Sequence, residues 1–278
     1  MLPPVRLLCI AICLVGCLTG SMTRPKSIHY APNHNFDDRG QYAPGEAGFN
    51  LADVRDLDQL SALADGVQAL VWVGQCEGVD DKFLAAVEPF AGSPQIFGFF
   101  LMDDPDPSGL YAHPCRPENL EAESDWIHAR FPGAKTFVIL MNMSSSQAPS
   151  FEDTYNFPNS HVDYFGLAPY PCRSEANGCD YEMIDRYLAA AERSGVTRDR
   201  IVPVYQAFGG GNWRSGDGGR YLLPTAEQER AIFLRWRKLL GAPTFDVAYS
   251  WGSQEGDEAL ENSETLRPLF RELFEQSD

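Results

Sequence analysis

Apolar runs that suit buried strands alternate with segments of helical periodicity along most of this chain. Seven such runs lie at residues 48–53, 69–74, 96–103, 136–142, 163–170, 201–208 and 245–251. Between them, apolar residues recur at spacings of three and four, which is typical of amphipathic helices packed on a sheet. This strand–helix–strand rhythm indicates βαβ units and a parallel sheet.

The number of strands favours a closed barrel over an open sheet. Seven strands over about 230 residues fit an α/β fold of the (β/α)8 TIM-barrel class, with one strand irregular or missing from the pattern. The eighth strand could lie at 27–30, or it could be a weak one within 150–157. No dinucleotide fingerprint or phosphate loop is present, because the glycines at 209–211 lack the following Lys-Ser/Thr. We therefore expect one barrel domain, at 48–278, with no cofactor and no metal.

The first residues have the pattern of an export signal. One positive charge at Arg6 precedes the short apolar run 7–15, which is too short to span a bilayer permanently. The sequence Leu-Val-Gly-Cys at 14–17 resembles the lipobox of bacterial lipoproteins, which implies lipidation of Cys17. The predicted division is a signal peptide with lipobox at 1–17 and a tether with an irregular segment at 18–47. Export to the cell surface or periplasmic side follows, with simple secretion as the alternative.

Four of the seven cysteines lie beyond the signal, at Cys76, Cys115, Cys172 and Cys179. An even number in an exported chain indicates two disulfides. Cys172 and Cys179 flank one polar loop, so they are predicted to pair, which leaves Cys76 for Cys115. A zinc site is the rival interpretation, but no CxxC or HxxxH spacing supports it.

The charge of the chain limits its partners. With 22 basic and 39 acidic residues, the net charge is −17. This argues against nucleic acid and anionic lipid as ligands, and a neutral ligand suits such a surface better. We expect a monomer that meets the membrane only through its lipid anchor.

The run at 96–102 carries no charge and then ends abruptly in acids. Asp103 and Asp104 follow it, and Pro105 stops the strand ladder. This places carboxylates at the carboxyl end of a buried strand, where α/β folds put their chemistry. A plain solvated turn is one alternative. A Ca²⁺ site that includes Asp106 is another, although three acids fall short of the six to eight oxygens such an ion takes.

Polar and aromatic residues also follow the other strands, which would bring them to the same mouth of a barrel. They are Asn50, Asp53, Trp72, Asn142, Tyr170, Tyr205, Gln206, Trp251 and Gln254. Amides and carboxylates bond hydroxyl groups, and aromatic faces stack on the apolar faces of sugar rings. The set predicts a binding site for an oligo- or polysaccharide, although some members could merely cap strand ends.

The segment 98–105, G-F-F-L-M-D-D-P, resembles the G-[YF]-[YF]-L-x-D-E-P strand of glycoside hydrolase-like (β/α)8 barrels. The runs at 163–170 and 245–251 are similar to later strands of the same barrels, and the resemblance covers residues 49–275. It implies that Asp104 is the catalytic acid/base and that Trp251 floors a sugar subsite. Asp103 would bond backbone or an arginine beside it.

One departure from that pattern concerns the second catalytic group. Many such barrels have a nucleophilic Glu where this chain has Gln206, so Gln206 would instead position a water or a substrate group. Asp103 and Asp104 are expected to point to opposite faces of their strand, which makes them a poor catalytic pair. The second acid would then come from Asp53, Asp106 or Glu255.

These observations predict an exported glycoside hydrolase-like barrel that cleaves O-glycosyl bonds of a glycan by acid/base catalysis. A catalytically silent, cell-surface saccharide-binding barrel is the alternative. A different hydrolase or a scaffold on the same fold is a third interpretation.

Overall fold

The protein is described by a computed structural model that covers residues 27–276. Eight parallel strands close into a barrel in which each strand pairs with its neighbours in chain order and the last pairs with the first. They are β1 His29–Tyr30, β2 Leu51–Val54, β3 Gln68–Trp72, β4 Ile96–Asp103, β5 Lys135–Ile139, β6 Tyr164–Leu167, β7 Ile201–Gln206 and β8 Asp246–Tyr249. The predicted (β/α)8 barrel is confirmed. The predicted signal peptide and Cys17 lie outside the described residues.

The strand that the sequence pattern did not settle is β1. Tyr30 lies opposite Val247 of β8 and Leu51 of β2, so this two-residue strand closes the barrel. Of the two positions considered, 27–30 is therefore the one used. Residues 150–156 form a loop that leads into a short helix, which begins at Phe157. The barrel thus begins inside the region assigned to the tether and irregular segment.

The helices occupy the segments where apolar residues recur at helical spacing. In the described chain they are α1 Leu57–Ser61, α2 Asp81–Val87, α3 Pro117–Arg130, α4 Phe157–Ser160, α5 Glu182–Arg193, α6 Ala226–Leu240 and α7 Leu266–Glu275. Short 3-10 turns lie at Pro44–Ala47, Glu88–Phe90, Ser174–Ala176, Arg198–Arg200 and Leu260–Asn262. Among residues 27–276, no helix combines the length and apolarity that crossing a membrane requires.

Two apolar layers hold the barrel together. Inward-facing side chains such as Leu70, Phe137 and Val204 fill the interior, and a larger cluster packs between the strands and the helices. Alternation along each strand separates the two sets. Gly98 is required in β4, since a Cβ atom there would lie 2.2 Å from the backbone oxygen of Lys135 on β5. The glycine that begins the acidic strand motif is thus a packing requirement.

Both predicted disulfides are present, which confirms the pairing. Cys76–Cys115 joins the loops that follow β3 and β4. Cys172–Cys179 closes a small hairpin in the loop that follows β6. Each lies on the carboxyl side of the barrel. There the disulfides constrain the loops around the mouth, which have no large apolar core of their own.

Candidate functional site

The acidic strand end lies at the mouth of the barrel, as the sequence predicts. Asp103 is the last residue of β4, and Asp104 leaves the strand with a φ of 47° in the left-handed region. The alternation of side chains therefore stops at Asp103. The expectation that the two carboxylates point to opposite faces is wrong, since Asp103 lines one cavity of the mouth and Asp104 lines the adjoining one.

The two carboxyl groups titrate as a pair whose affinity for protons is increased. Loss of hydration raises the pKa of Asp103 to about 6. Asp104 is open to solvent, but it lies in a concave mouth where protein atoms displace much of its hydration. This loss of hydration, with the charge of Asp103, raises the pKa of Asp104 well above its usual value. We expect the pair to retain one proton near neutral pH.

Asp106 is in the opposite situation. It is buried beneath the loop that follows it, and its carboxylate accepts hydrogen bonds from the backbone N–H groups of Ser108, Gly109, Tyr111 and Ala112 and from the Ser108 hydroxyl. Burial alone would raise its pKa, but the bonds from Ser108, Tyr111 and Ala112 hold it well below the usual range. Asp106 therefore shapes the loop and has no free oxygen for acid/base work or for Ca²⁺.

A central cavity of about 360 Å³ lies over β1 to β4 and β8. Its polar walls include Asp53 and Asp103, and the rings of Tyr30, Trp72 and Tyr249 complete it. Trp72 packs edge-on against Phe100, with ring centroids 4.9 Å apart. Two carboxylates and several aromatic faces in one hollow match the chemistry of a sugar ring with its hydroxyls.

Asp53 is the better placed of the proposed second acids. It is 5% exposed, its Oδ2 lies 3.7 Å from the Arg55 guanidinium and accepts from Asn33 N at 3.3 Å, and the Tyr30 hydroxyl faces its carboxylate. Burial raises its pKa, and Arg55 partly offsets that rise. Glu255, by contrast, lines neither the central cavity nor the two hollows beside it.

A second hollow, the Asp104 cavity, has a volume of about 200 Å³ and lies over β5 and β6. Asn142, Tyr170 and Arg173 line it with Asp104. Asn142 is largely used in shaping its own loop, since its Oδ1 accepts from the N–H groups of Ser144 and Ser150. Tyr170 has a φ of 44°, and its ring meets those of an aromatic group, Phe208, Tyr221 and Tyr249.

The third hollow, which we call the side cavity, is the largest at about 1000 Å³. It lies between the N-terminal segment 33–46 and the loop after β8, and it contains Trp251 and Gln254. Asp53, Arg55, Asn33 and Gln254 line both the side cavity and the central cavity. Trp251 is 3% exposed, so it forms wall and core more than an open stacking surface.

Strained backbone is concentrated at these hollows. Of the seven non-glycine residues with positive φ in the described chain, four line them: Asn33 and His34 at the side cavity, and Asp104 and Tyr170 at the Asp104 cavity. A bulky residue such as tyrosine adopts this conformation only when its surroundings enforce it. The strain supports a functional mouth on this side of the barrel.

Gln206 does not have the role predicted for it. It is fully buried, and its amide bonds main-chain groups on two loops: Oε1 accepts from Cys172 N at 2.8 Å, and Nε2 donates to the carbonyls of Cys172 and Leu222 at 2.9 Å each. A third contact reaches Phe208 O at 3.4 Å. Gln206 therefore joins the disulfide hairpin to the loop after β7, and it presents no exposed polar atom to a substrate.

Two further predicted site residues lie elsewhere. Asn50 precedes β2 at the amino end of the barrel, where it bonds Ser27 O and His29 N, each at 2.8 Å. Tyr205 points outward, packs against Phe233, and has its hydroxyl 3.3 Å from Asp246. We had predicted that both residues contact the substrate. These positions correct that prediction, because a residue before a strand or on its outer face does not reach the mouth.

Several mouth residues were not selected from the sequence. Tyr30, Asn33, Arg55 and Tyr249 all line the central cavity. Tyr249 is at an inward-facing position two residues after Val247, so strand alternation could have indicated it. Asn33 and Arg55 lie in irregular segments and have no such signal.

One group in the described chain has the geometry to hold a metal ion: Glu121, Asp125 and His161. It lies on α3 and the end of α4, and His161 Nδ1 is already 2.7 Å from Asp125 Oδ1. None of the three lines the mouth cavities.

Comparison with known proteins gives a fold and no closer assignment. No protein-family profile and no curated protein matches the chain. Among solved structures, it is similar to a chitinase from Rhizomucor miehei, with a TM-score of 0.52 and 11% identity over 89% of this chain and 94% of that one. It is also similar to catalytic domain 2 of a Group II chitinase from Ostrinia furnacalis, with a TM-score of 0.51 and 11% identity over 81% and 90%.

A proposed alpha-L-fucosidase from Bacteroides thetaiotaomicron is similar over nearly its whole length, with a TM-score of 0.52 and 12% identity over 98% of this chain and 99% of that one. These neighbours are glycoside hydrolases with the TIM-barrel fold. At such low identity the likeness shows a shared fold alone, because one barrel supports many chemistries.

Proposed function

We propose that this protein is a glycoside hydrolase that cleaves an O-glycosyl bond of an oligo- or polysaccharide. The observation that carries the proposal is the Asp103–Asp104 pair, which lies in an aromatic-lined mouth where loss of hydration raises the pKa of both carboxyl groups. A carboxylic acid that stays protonated in a hollow suited to sugar is the general acid that glycoside cleavage requires. The hydrolase neighbours lend support at the level of the fold.

Asp104 is the proposed general acid, and Asp103 maintains its protonation. Because the two carboxyl groups are neighbours, the charge of an ionised Asp103 opposes loss of the proton from Asp104. Asp104 would give this proton to the glycosidic oxygen as the C–O bond breaks. The ionised Asp103 would stabilise the positive charge that develops on the sugar ring.

Asp53 is the proposed second carboxylate. It lines the same cavity as Asp103, and burial raises the pKa of its carboxyl group, which favours uptake of a proton. In an inverting reaction, a water that attacks the anomeric carbon would lose its proton to Asp53 while Asp104 protonates the leaving group. One proton is consumed and one is released, so the reaction balances.

The aromatic residues would hold the sugar in place. Trp72 of β3 and Tyr249 of β8 both border the central cavity, and Tyr170 continues the aromatic surface towards Asp104. Stacking on such rings suits a carbohydrate and needs no charge on the ligand.

A binding protein without turnover is the second candidate. Gln206 favours it, because this amide stands where the barrels that the chain resembles have an acid. Its polar atoms are already occupied by bonds to the backbone. In this case the aromatic mouth would bind the saccharide, and no proton transfer would follow.

The test is a panel of oligosaccharides and polysaccharides, assayed for turnover and, separately, for binding by calorimetry. Asp104→Asn should lower turnover by about 10²–10⁴-fold, since it removes the acid and keeps the shape. Asp65→Asn, an exposed acid in the turn before β3, is the matched control. Turnover that Asp104→Asn leaves unchanged would refute the role of Asp104. Binding without turnover would support the second candidate.

We also propose that the protein is exported and held on the outer side of a membrane by a lipid on Cys17, with secretion as the alternative. The two disulfides support export, because such bonds persist in oxidising compartments.

A further inference from the structure

The loop that follows the acid pair carries the most exposed large apolar side chains of the described chain. Leu110 and Tyr111 are 78% and 70% exposed, and they are neighbours at the tip of residues 106–115. The other exposed large apolar side chains among the described residues stand singly and are at most 56% exposed. The mechanism proposed above does not use this pair, and an apolar pair presented at the mouth side of the barrel is a candidate contact surface.

The tip of this loop has a defined shape. The Asp106 carboxylate accepts from the N–H groups of Tyr111 at 2.7 Å and Ala112 at 3.0 Å, so a buried charge fixes the backbone of the tip. Cys115 N donates to the Asp106 carbonyl at 2.8 Å, and its disulfide ties the end of the loop to the loop after β3. A surface that is fixed before a ligand arrives loses little conformational entropy on binding.

A hollow of about 220 Å³, which we call the Met102 hollow, lies between this loop and the central cavity. Met102 and Gly74 line both the hollow and the central cavity, so the two spaces adjoin. His113 and Pro114 form the outer wall of the hollow. Because consecutive Cα atoms lie about 3.8 Å apart, the Cα atom of Tyr111 is within about 8 Å of that of His113. Tyr111 therefore stands at the outer edge of a space that continues from the central cavity.

Gly74 leaves the junction of the two spaces unobstructed. It has a φ of 67°, and a Cβ atom there would lie 2.7 Å from Nε1 of Trp72. Any larger residue would press on the indole ring that borders the central cavity. The absence of a side chain at this point leaves room for a ligand beside Trp72.

The polar walls of the Met102 hollow suit a neutral ligand with many hydroxyl groups. Glu77, Lys82 and His113 line it, and Glu77 Oε1 lies 3.0 Å from His113 Nδ1. Acceptors and donors of both charges are thus close together, and sugar hydroxyls can bond either kind. The Tyr111 ring adds a flat apolar face with a polar edge, which is the surface that stacks on a sugar ring.

We propose that Tyr111, with Leu110 beside it, forms an outer subsite for the saccharide whose other end occupies the central cavity. The chain of sugars would leave the central cavity past Gly74 and Met102, cross the Met102 hollow, and stack on the Tyr111 ring. The inference rests on the proposed function and specifies its substrate as a chain of several sugars that extends over the loop after β4. Tyr111 binds this chain away from the reacting atoms.

The test measures binding by calorimetry for hexasaccharides and disaccharides of the cello-, N-acetylchito- and xylo-oligosaccharide series. Tyr111→Ala should weaken binding of a hexasaccharide about three- to tenfold and leave that of a disaccharide, which is short enough to stay in the central cavity, within about twofold. Tyr111→Phe keeps the ring and should bind like wild type. Leu234→Ala, which removes a 56% exposed side chain from α6, is the matched control. The changes at Tyr111 spare the fold, since Asp106 bonds the backbone of that residue.

Three results would overturn the outer subsite. The first is a hexasaccharide affinity that Tyr111→Ala leaves unchanged, or that falls equally for the disaccharide. The second is a loss in Tyr111→Phe as large as in Tyr111→Ala, because the hydroxyl and not the ring would then carry the effect. The third is a dimer, seen by sedimentation velocity, that Tyr111→Ala abolishes, since a second copy of the chain would then be the partner of this surface.

Turnover of the same hexasaccharides, measured in parallel with Asp104→Asn, separates this inference from the proposed function. Asp104-dependent turnover with hexasaccharide binding that Tyr111→Ala leaves unchanged would overturn the subsite and leave the hydrolase standing. Tyr111-dependent binding without turnover would do the reverse. If wild type binds none of the hexasaccharides, the subsite is overturned, and if it also turns over no glycan of the panel, both are.

Discussion

Asp103 and Asp104 differ sharply from Asp106, although all three lie within four residues of one another. Asp106 collects five hydrogen bonds from the loop after it and is held in its charged form. Asp103 and Asp104 line two neighbouring cavities that remove water from them without a comparable set of donors, and both have raised pKa values. The supply of donors, and not the residue type or its place in the chain, separates a structural carboxylate from one that can transfer a proton.

Gln206 extends this comparison to an amide. At this position the chain has a side chain that bonds the backbone of Cys172 through both its oxygen and its nitrogen. Like Asp106, it is saturated with partners, and its role is to hold loops. The residues available for chemistry are those with few donors around them, such as Asp103, whose carboxyl group has a raised pKa.

The largest expected effect on stability is that of Gln206→Glu. The new carboxylate would face the carbonyls of Cys172 and Leu222 with no N–H to give them, and the pocket is fully buried. We expect the free energy of unfolding to fall by about 3 kcal/mol, with no gain in turnover. Urea denaturation and the glycan assay measure the two quantities. Gln206→Met, which removes the bonds without adding charge, should lose less stability; a rise in turnover for Gln206→Glu would contradict the structural role.

A smaller loss of stability is expected for Asp106→Asn. The amide replaces one acceptor oxygen by a donor that faces the N–H groups of the loop, so it breaks the contacts to either Ser108 or Tyr111 and Ala112. The melting temperature should fall by about 5 °C at neutral pH. Because the folded-state pKa of Asp106 is lowered, its contribution is present above the ordinary aspartate pKa and is lost as the pH falls below it. The variant and wild type should therefore converge in acid; a constant difference down to low pH would contradict this account.

The fold was more predictable from the sequence than the site. Strand and helix periodicity indicated the barrel and seven of its strands, and the spacing of Cys172 and Cys179 indicated their bond. The first strand was left open because two residues, His29–Tyr30, are too few to show alternation. Its position became clear only through its pairing with β8 and β2.

The site was harder to predict because its chemistry depends on groups remote in sequence. Nothing near Gln206 shows that Cys172 and Leu222 will meet its amide. The strand pattern also predicted opposite faces for Asp103 and Asp104, since it carries no sign of the left-handed turn that ends the alternation at Asp104. Residues in irregular segments, such as Asn33, have no periodicity at all to indicate that they reach the mouth.

The smallest effect on stability is expected for Asp103→Asn. Its sign is opposite to the other two, because this variant should be more stable than wild type. The folded-state pKa of Asp103 is raised to about 6 from an ordinary value of 3.8, so its protonated form stabilises the fold at low pH and that contribution is lost as the pH rises through about 6. The variant does not titrate there. It should match wild type near pH 4 and exceed it above pH 6 by about 1–2 kcal/mol, a range reduced because the mouth is partly open to solvent.

Urea denaturation of wild type and Asp103→Asn across this pH range, with Asp65→Asn as the control, measures how the free energy of unfolding changes. Its sign can then be compared with that for Asp106→Asn. A variant that is less stable than wild type above pH 6 would show that Asp103 is also a structural carboxylate. If instead stability rises while turnover falls, Asp103 is a functional carboxylate that the fold retains at a cost in its own stability.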